Sequence, residues 1–219
     1  MIVGRSHGAS LTLPRRDTAD RIRADIERSG VATLRGLLRG PDLDGILTAL
    51  RTAPWSEHRN PSTNRRELLL DHTPTLAFLF YLVADPRLHR MLEAATGCSP
   101  ITNLTGRLYR LVPGAGHTGD FHNDLTDGRV VAFSLNLSER PIEGGTRVVR
   151  DAETKEPIAV AGGPDLRPGD ALVLGLRPGL EHRVEEVVGT EPKTSFVGFL
   201  MAGGNHPLTS PRSVQYVAG

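Results

Sequence analysis

Two histidines and one carboxylate in this sequence are placed to share a metal ion. His122 and Asp124 stand two apart in Phe121-His122-Asn123-Asp124-Leu125. Residues two apart on an extended segment point to the same side, so both can reach one ion. His182, in Leu180-Glu181-His182-Arg183-Val184, is the candidate third donor. Two imidazoles and one carboxylate on one face of an octahedral ion leave three positions open, a donor set that suits iron(II) and needs no thiolate. A His-x-Asp pair alone is common and reads equally well as a surface turn, so the argument rests on what accompanies it.

The elements that must carry these residues change character midway along the chain. In the first half, Ala19, Ile22 and Ile26 recur at helical spacing between Asp17 and Ser29, and Gly30 ends the run. Val31 to Leu38 is a short β-like run. Pro41-Asp42 opens a second helix with Leu43, Ile46, Leu47 and Leu50 on one face. Arg51 to Arg65 is polar and reads as loop. Thr75 to Val83 and Pro86 to Ala95 read as two more helices, parted by Asp85-Pro86. From Ile101 onward short β-rich runs alternate with Gly/Pro turns. They are Leu104–Val112, Gly119–His122, Val130–Leu137, Thr146–Arg150, Ile158–Ala161, Ala171–Leu176, His182–Val188 and Ser195–Met201. Many short strands at fairly even spacing predict an antiparallel sandwich or barrel. The expected fold is α+β and mainly β. It is a single domain, 1–219, with mostly helical support over 1–100, a β core over 101–203 and an irregular tail over 204–219.

Composition excludes several classes. With 26 basic and 25 acidic residues the net charge is +1, which lacks the basic excess of a nucleic-acid binder. Cys98 is the single cysteine. No intrachain disulfide or cysteine-rich zinc site is available, and the chain suits a reducing compartment. The most apolar run, Leu76 to Ala84, is far shorter than the roughly 20 residues that span a bilayer. A cytoplasmic protein with no membrane or nucleic-acid partner is expected, and its oligomeric state is left open. All but two of the basic residues are arginine, the exceptions being Lys155 and Lys193.

Around the candidate donors stands a longer pattern. Tyr109, Pro113-Gly114, His122-x-Asp124, Leu135-Asn136, Gly144-Gly145-Thr146, Pro168-Gly169-Asp170-Ala171, His182 and Lys193-x-Ser195 follow one another in that order. In this combination the sequence resembles the Fe(II)/2-oxoglutarate-dependent oxygenases, especially their small prolyl-hydroxylase-like and phytanoyl-hydroxylase-like branches. The resemblance spans about residues 104–200. It implies a double-stranded β-helix, or jelly roll, with the N-terminal helices packed on one side, in agreement with the strand reading.

The resemblance also implies roles. His122, Asp124 and His182 would hold iron(II). Lys193 and Ser195, two apart on one strand, would hold the far carboxylate of 2-oxoglutarate, with Tyr109 and Asn136 lining the same pocket. Dioxygen would be the other co-substrate. Retention of Asp124 favours hydroxylation, desaturation or ring closure over halogenation. Arg107, Arg147 and His117 are candidates for contact with the substrate. The expected activity is hydroxylation of an unactivated C–H of a small molecule, such as an amino acid or a specialised-metabolite intermediate, either free or carrier-tethered. A prolyl-type hydroxylase of protein side chains, a non-catalytic metal-binding jelly roll and a cupin-type metalloenzyme are the alternatives.

Overall fold

A computed structural model describes residues 11–13, 16–59, 66–116, 119–126 and 128–203. Four helices open the chain. They are α1 (Arg16–Ser29), α2 (Gly40–Arg51), α3 (Pro74–Val83) and α4 (Pro86–Thr96). Three of them carry a proline in the first turn, where its missing N–H costs no helical bond. Thr73 caps α3 by accepting from the Leu76 N–H at 3.2 Å, and Asp85 caps α4 by accepting from the Arg87 N–H at 2.8 Å. Gly97, at φ 68°, turns the chain out of α4.

Strands β1 (Val31–Leu34), β2 (Ser56–Arg59), β3 (Arg66–Leu69), β4 (Ile101–Leu111), β5 (Arg129–Asn136), β9 (Ala171–Gly175) and β12 (Lys193–Ala202) form one sheet. Its order is β1-β9-β5-β12-β4-β3-β2. A smaller sheet, β10-β7-β8, comprises β10 (Leu180–Val184), β7 (Thr146–Asp151) and β8 (Pro157–Gly162). Strands β6 (Glu143–Gly144) and β11 (Val187–Val188) pair beside it. All these pairings are antiparallel.

The two faces of the large sheet do different work, as the pleat requires. On β12, Phe196 and Leu200 face the helices and join Leu79, Leu88, Leu92 and Ile22 in the main core. Phe80 meets Phe196 edge-on at 5.4 Å. Lys193, Ser195, Val197 and Phe199 alternate with them and face the small sheet. Two apolar clusters line that inner side. One centres on Ala132, Val149, Leu172 and Leu174, the other on Leu69, Tyr109, Leu111, Val184 and Val187. Asp170 ties the helical half to the β half. Its carboxylate accepts from the Gly36 N–H at 2.6 Å, the Arg167 N–H at 3.0 Å and Arg35 Nη1 at 2.9 Å. Gly169 before it is obligatory, because at φ 83° a Cβ would stand 2.1 Å from the Leu38 carbonyl oxygen.

Three expectations need correction. The segment expected as loop, Arg51 to Arg65, contains strand β2, which pairs with β3 just beyond it, Ser56 standing opposite Leu69. Gly119–His122 is not a strand. It is irregular chain that meets the sheet at one isolated bridge, His122 opposite His182. The expected run His182–Val188 breaks into β10 and β11, because Glu185 bonds back to the Thr146 carbonyl at 2.8 Å and turns the chain. The tail 204–219 lies outside the described residues. No helix among the described residues is long and apolar enough to cross a membrane.

Candidate metal centre

His182 enters from β10 and faces inward, opposite Val149 of β7. The His122–Asp124 segment is brought to it by backbone. The His122 N–H donates to the His182 carbonyl at 3.1 Å, and the His182 N–H donates back at 2.9 Å. Asn123 fixes the turn between the two donors. Its side chain donates to the Leu180 carbonyl at 2.7 Å and accepts from the Leu125 N–H at 2.8 Å. Phe121 packs against the Arg150 and Arg183 guanidiniums, whose centres lie 3.7 and 4.7 Å from its ring centroid.

The three side chains converge. Asp124 Oδ2 lies 3.1 Å from His182 Nε2 and 3.8 Å from His122 Nε2. One ligand atom from each falls within 4.8 Å of the others. Two donors about 2.1 Å from a shared ion and at right angles stand roughly 3 Å apart, so the trio fits a metal ion. His122 Nδ1 lies 2.9 Å from the Asp120 carbonyl and donates to it, which leaves the Nε2 lone pair for the ion. Burial pushes the His182 pKa down and so favours the neutral imidazole that coordinates. Burial opposes the charge on Asp124, yet His182, His122 and Arg147 together hold its carboxyl below the ordinary carboxylate range. Cys98 is half-buried in contact with the main core, and burial pushes its thiol pKa up.

Sequence reasoning missed a fourth participant. Arg129, buried at the start of β5, lies 3.7 Å from Asp124 Oδ1 and stacks on Phe199 at 4.1 Å. It faces the carboxylate oxygen turned away from the imidazoles. An arginine opening the apolar run Val130–Phe133 was the available signal.

The predicted cofactor residues lie on one wall. Lys193 and Ser195 share the inner face of β12, and Ser195 stands between Tyr109 of β4 and Asn136 of β5. Lys193 is 4% exposed and donates from Nζ to the Gly145 carbonyl. Burial, with the nearby Arg147 charge, lowers its pKa to about 7. Ser195 Oγ is fully buried and makes no hydrogen bond. An ammonium beside an orphaned hydroxyl is a pair of donors facing a missing acceptor, and a carboxylate fits that need. Tyr109 is buried on the same side. Asn136 is engaged elsewhere, donating to the Leu166 carbonyl at 3.1 Å and accepting from the Ser138 N–H at 3.2 Å. It shapes the turn before β9.

The substrate candidates are dispersed. Arg147 projects from β7 into the space between the sheets. Arg107 donates to Glu67 of β3 at 2.8 Å and lies over the Tyr109 ring. Glu67 is 2% exposed and lies on β3, just past the segment expected as loop. His117 lies outside the described residues.

This arrangement of paired antiparallel sheets has solved counterparts. A prolyl-4-hydroxylase from Pseudomonas putida is 18% identical, with a TM-score of 0.63 over 85% of this chain and 100% of that one. A 2OG-Fe(II) oxygenase family oxidoreductase from Burkholderia pseudomallei is 14% identical, with a TM-score of 0.65 over 93% and 100%. The fold is that of the 2OG-Fe(II) oxygenases. The epimerase SnoN, solved with Fe3+, alpha ketoglutarate and nogalamycin RO, is 15% identical at a TM-score of 0.61 over 94% and 92%. No protein-family model matches the sequence, and no curated protein matches it. The jelly roll and the helices packed on its outer face are as the sequence implied.

Proposed function

We propose that the protein is an Fe(II)- and 2-oxoglutarate-dependent oxygenase that hydroxylates an unactivated C–H of a small molecule. The observation that carries this reading is the convergence of His122, Asp124 and His182 beside β10, together with a buried ammonium and an unpartnered hydroxyl on the inner face of β12. Iron(II) at such a site supplies oxidising power from dioxygen, coupled to conversion of 2-oxoglutarate to succinate and CO2. His122 Nε2, Asp124 Oδ2 and His182 Nε2 would hold it. Lys193 and Ser195 would take the far carboxylate of the oxoacid, with Tyr109 closing the wall beside them. Val184, Val187, Val197 and Leu111 keep that wall apolar. Water is excluded there, and each charged contact gains strength. Arg107, Arg147 and His117 are assigned to contact with the substrate.

The test needs no substrate. Anaerobic addition of Fe(II) and then 2-oxoglutarate should give a weak visible metal-to-ligand charge-transfer band. Exposure to air should then release succinate slowly. A protein that gives no band and binds no 2-oxoglutarate is not this enzyme. A band with no succinate release indicates a binding protein.

A further inference from the structure

Two cations face one another across the space between the sheets. Lys193 projects from β12. Arg147 projects from β7, two residues before Val149 and on the same face, and Val149 stands opposite His182. The Arg147 charge is one of the causes that lower the Lys193 pKa, so each lies within the other's field. Like charges in a water-poor pocket repel strongly unless an anion separates them.

The neighbouring arginines each have a carboxylate. Arg129 faces Asp124 at 3.7 Å, Arg107 faces Glu67 at 2.8 Å and Arg150 faces Glu181 at 2.7 Å. The Arg147 guanidinium makes no hydrogen bond or ion pair among the described residues. It feels Tyr109 and Asp124 only through space, and burial lowers its pKa. Asp124 points its oxygens at the two imidazoles and at Arg129, so its charge is already committed. Lys193 and Ser195 suffice for one carboxylate. A guanidinium has a planar fork of donors matched to a second.

We propose that Arg147 is a second carboxylate-binding subsite, within reach of both the His122–Asp124–His182 trio and Lys193, and separate from the carboxylate position at Lys193 and Ser195. The carboxylate comes either from the metal-proximal end of the oxoacid or from the substrate. The first source rests on the oxygenase reading above. Either way, Arg147 positions an acid in the pocket and holds no part of the fold.

Three measurements on the full chain test this with Arg147→Gln and the charge-retaining Arg147→Lys. Under anaerobic Fe(II), the charge-transfer band is titrated with 2-oxoglutarate. A dissociation constant raised at least tenfold in Arg147→Gln, and less in Arg147→Lys, assigns the subsite to the oxoacid. If that constant is unchanged, the preformed complex is titrated with acetate and, as control, acetamide. A band shift with acetate alone, lost in Arg147→Gln, assigns the subsite to a substrate carboxylate. The metal-free protein is then unfolded in urea. Because Arg147 repels Lys193, the Arg147→Gln midpoint should equal or exceed that of the wild type. A lower midpoint marks a structural residue and overturns the proposal, as do unchanged 2-oxoglutarate affinity and acetate response together. A wild-type protein that gives no band defeats the oxygenase reading and this subsite with it. A wild-type band that is insensitive to Arg147 defeats the subsite alone.

Discussion

Replacing Lys193 with methionine separates what this side chain costs the fold from what it does for a ligand. The ordinary lysine pKa is 10.5, and in the folded protein burial and Arg147 bring it to about 7. At about 1.36 kcal/mol per pH unit, the difference amounts to roughly 5 kcal/mol of stability lost at or below neutral pH. The unfolded chain keeps its proton up to 10.5, the folded chain only to about 7. Between those values the unfolded state binds more protons, so wild-type stability rises with pH there, and the penalty is gone above 10.5. Methionine has similar length and no charge, but it leaves the Gly145 carbonyl unpaired, at about 1–3 kcal/mol. Metal-free Lys193→Met should therefore be about 2–4 kcal/mol more stable than wild type at pH 7, with the gain shrinking toward pH 10. Its 2-oxoglutarate binding should fall by about tenfold to a hundredfold, the value of a charge-assisted hydrogen bond. Wild-type affinity should itself drop by up to tenfold per pH unit above 7, because a neutral amine must take up a proton to hold the dianion. The variant's affinity should not share that slope. Urea unfolding from pH 6.5 to 9.5 and anaerobic titration of the charge-transfer band read these quantities. A variant less stable than wild type at pH 7, with unchanged oxoacid affinity, would refute the reasoning.

Other perturbations have equally direct readouts. Asp124→Ala removes the donor shared by both imidazoles, and tight Fe(II) or Co(II) binding followed by calorimetry should disappear while the far-UV circular dichroism stays native. Gly145→Ala is strained at φ 61° and places a Cβ 3.0 Å from Lys193 Cδ. It should weaken 2-oxoglutarate binding severalfold and leave metal affinity unchanged, as equilibrium titration of each would show. Gly198→Ala puts a Cβ 1.9 Å from the Thr105 carbonyl oxygen, between β12 and β4. It should cost at least about 3 kcal/mol in denaturant unfolding, since two backbones must part. Asp170→Ala leaves the buried Gly36 N–H without its acceptor and should cost about 2–4 kcal/mol by the same measurement.

The His122–Asp124 pair was legible because its signal is local. A His-x-Asp spacing forces two side chains to one side of any extended segment, whether or not that segment is a strand, and here it is not. Lys193 and Ser195, two apart on one strand, were expected on one face for the same reason, and the structure places both on the inner face of β12. The β2–β3 hairpin was not legible. Ser56-Glu57-His58-Arg59 has no apolar alternation, because both of its faces are exposed or half-exposed and it lies at the sheet edge. With the hairpin went Glu67, a buried acid that only the cross-strand contact with Arg107 explains. Arg129 was missed because its partner Asp124 is joined to it by tertiary packing rather than by any strand period. The isolation of Arg147 was likewise invisible. A residue type and its spacing say what a side chain can bind, whereas only the surrounding atoms say that nothing yet does.

The reciprocal backbone bonds between His122 and His182 tie the centre to the timing of folding. Two of the three donors meet through a bridge that closes a loop of sixty residues, and the intervening chain contains β5 through β9. Closing so long a loop is entropically costly until those strands have paired. A nascent or partly unfolded chain therefore offers isolated histidines and carboxylates with little hold on a divalent ion. Metal affinity arises only once the barrel has shut around the site. The same bridge means that an ion, once seated, must lose its grip before the His122–Asp124 segment can leave β10, so removal of the metal should speed unfolding more than it slows folding.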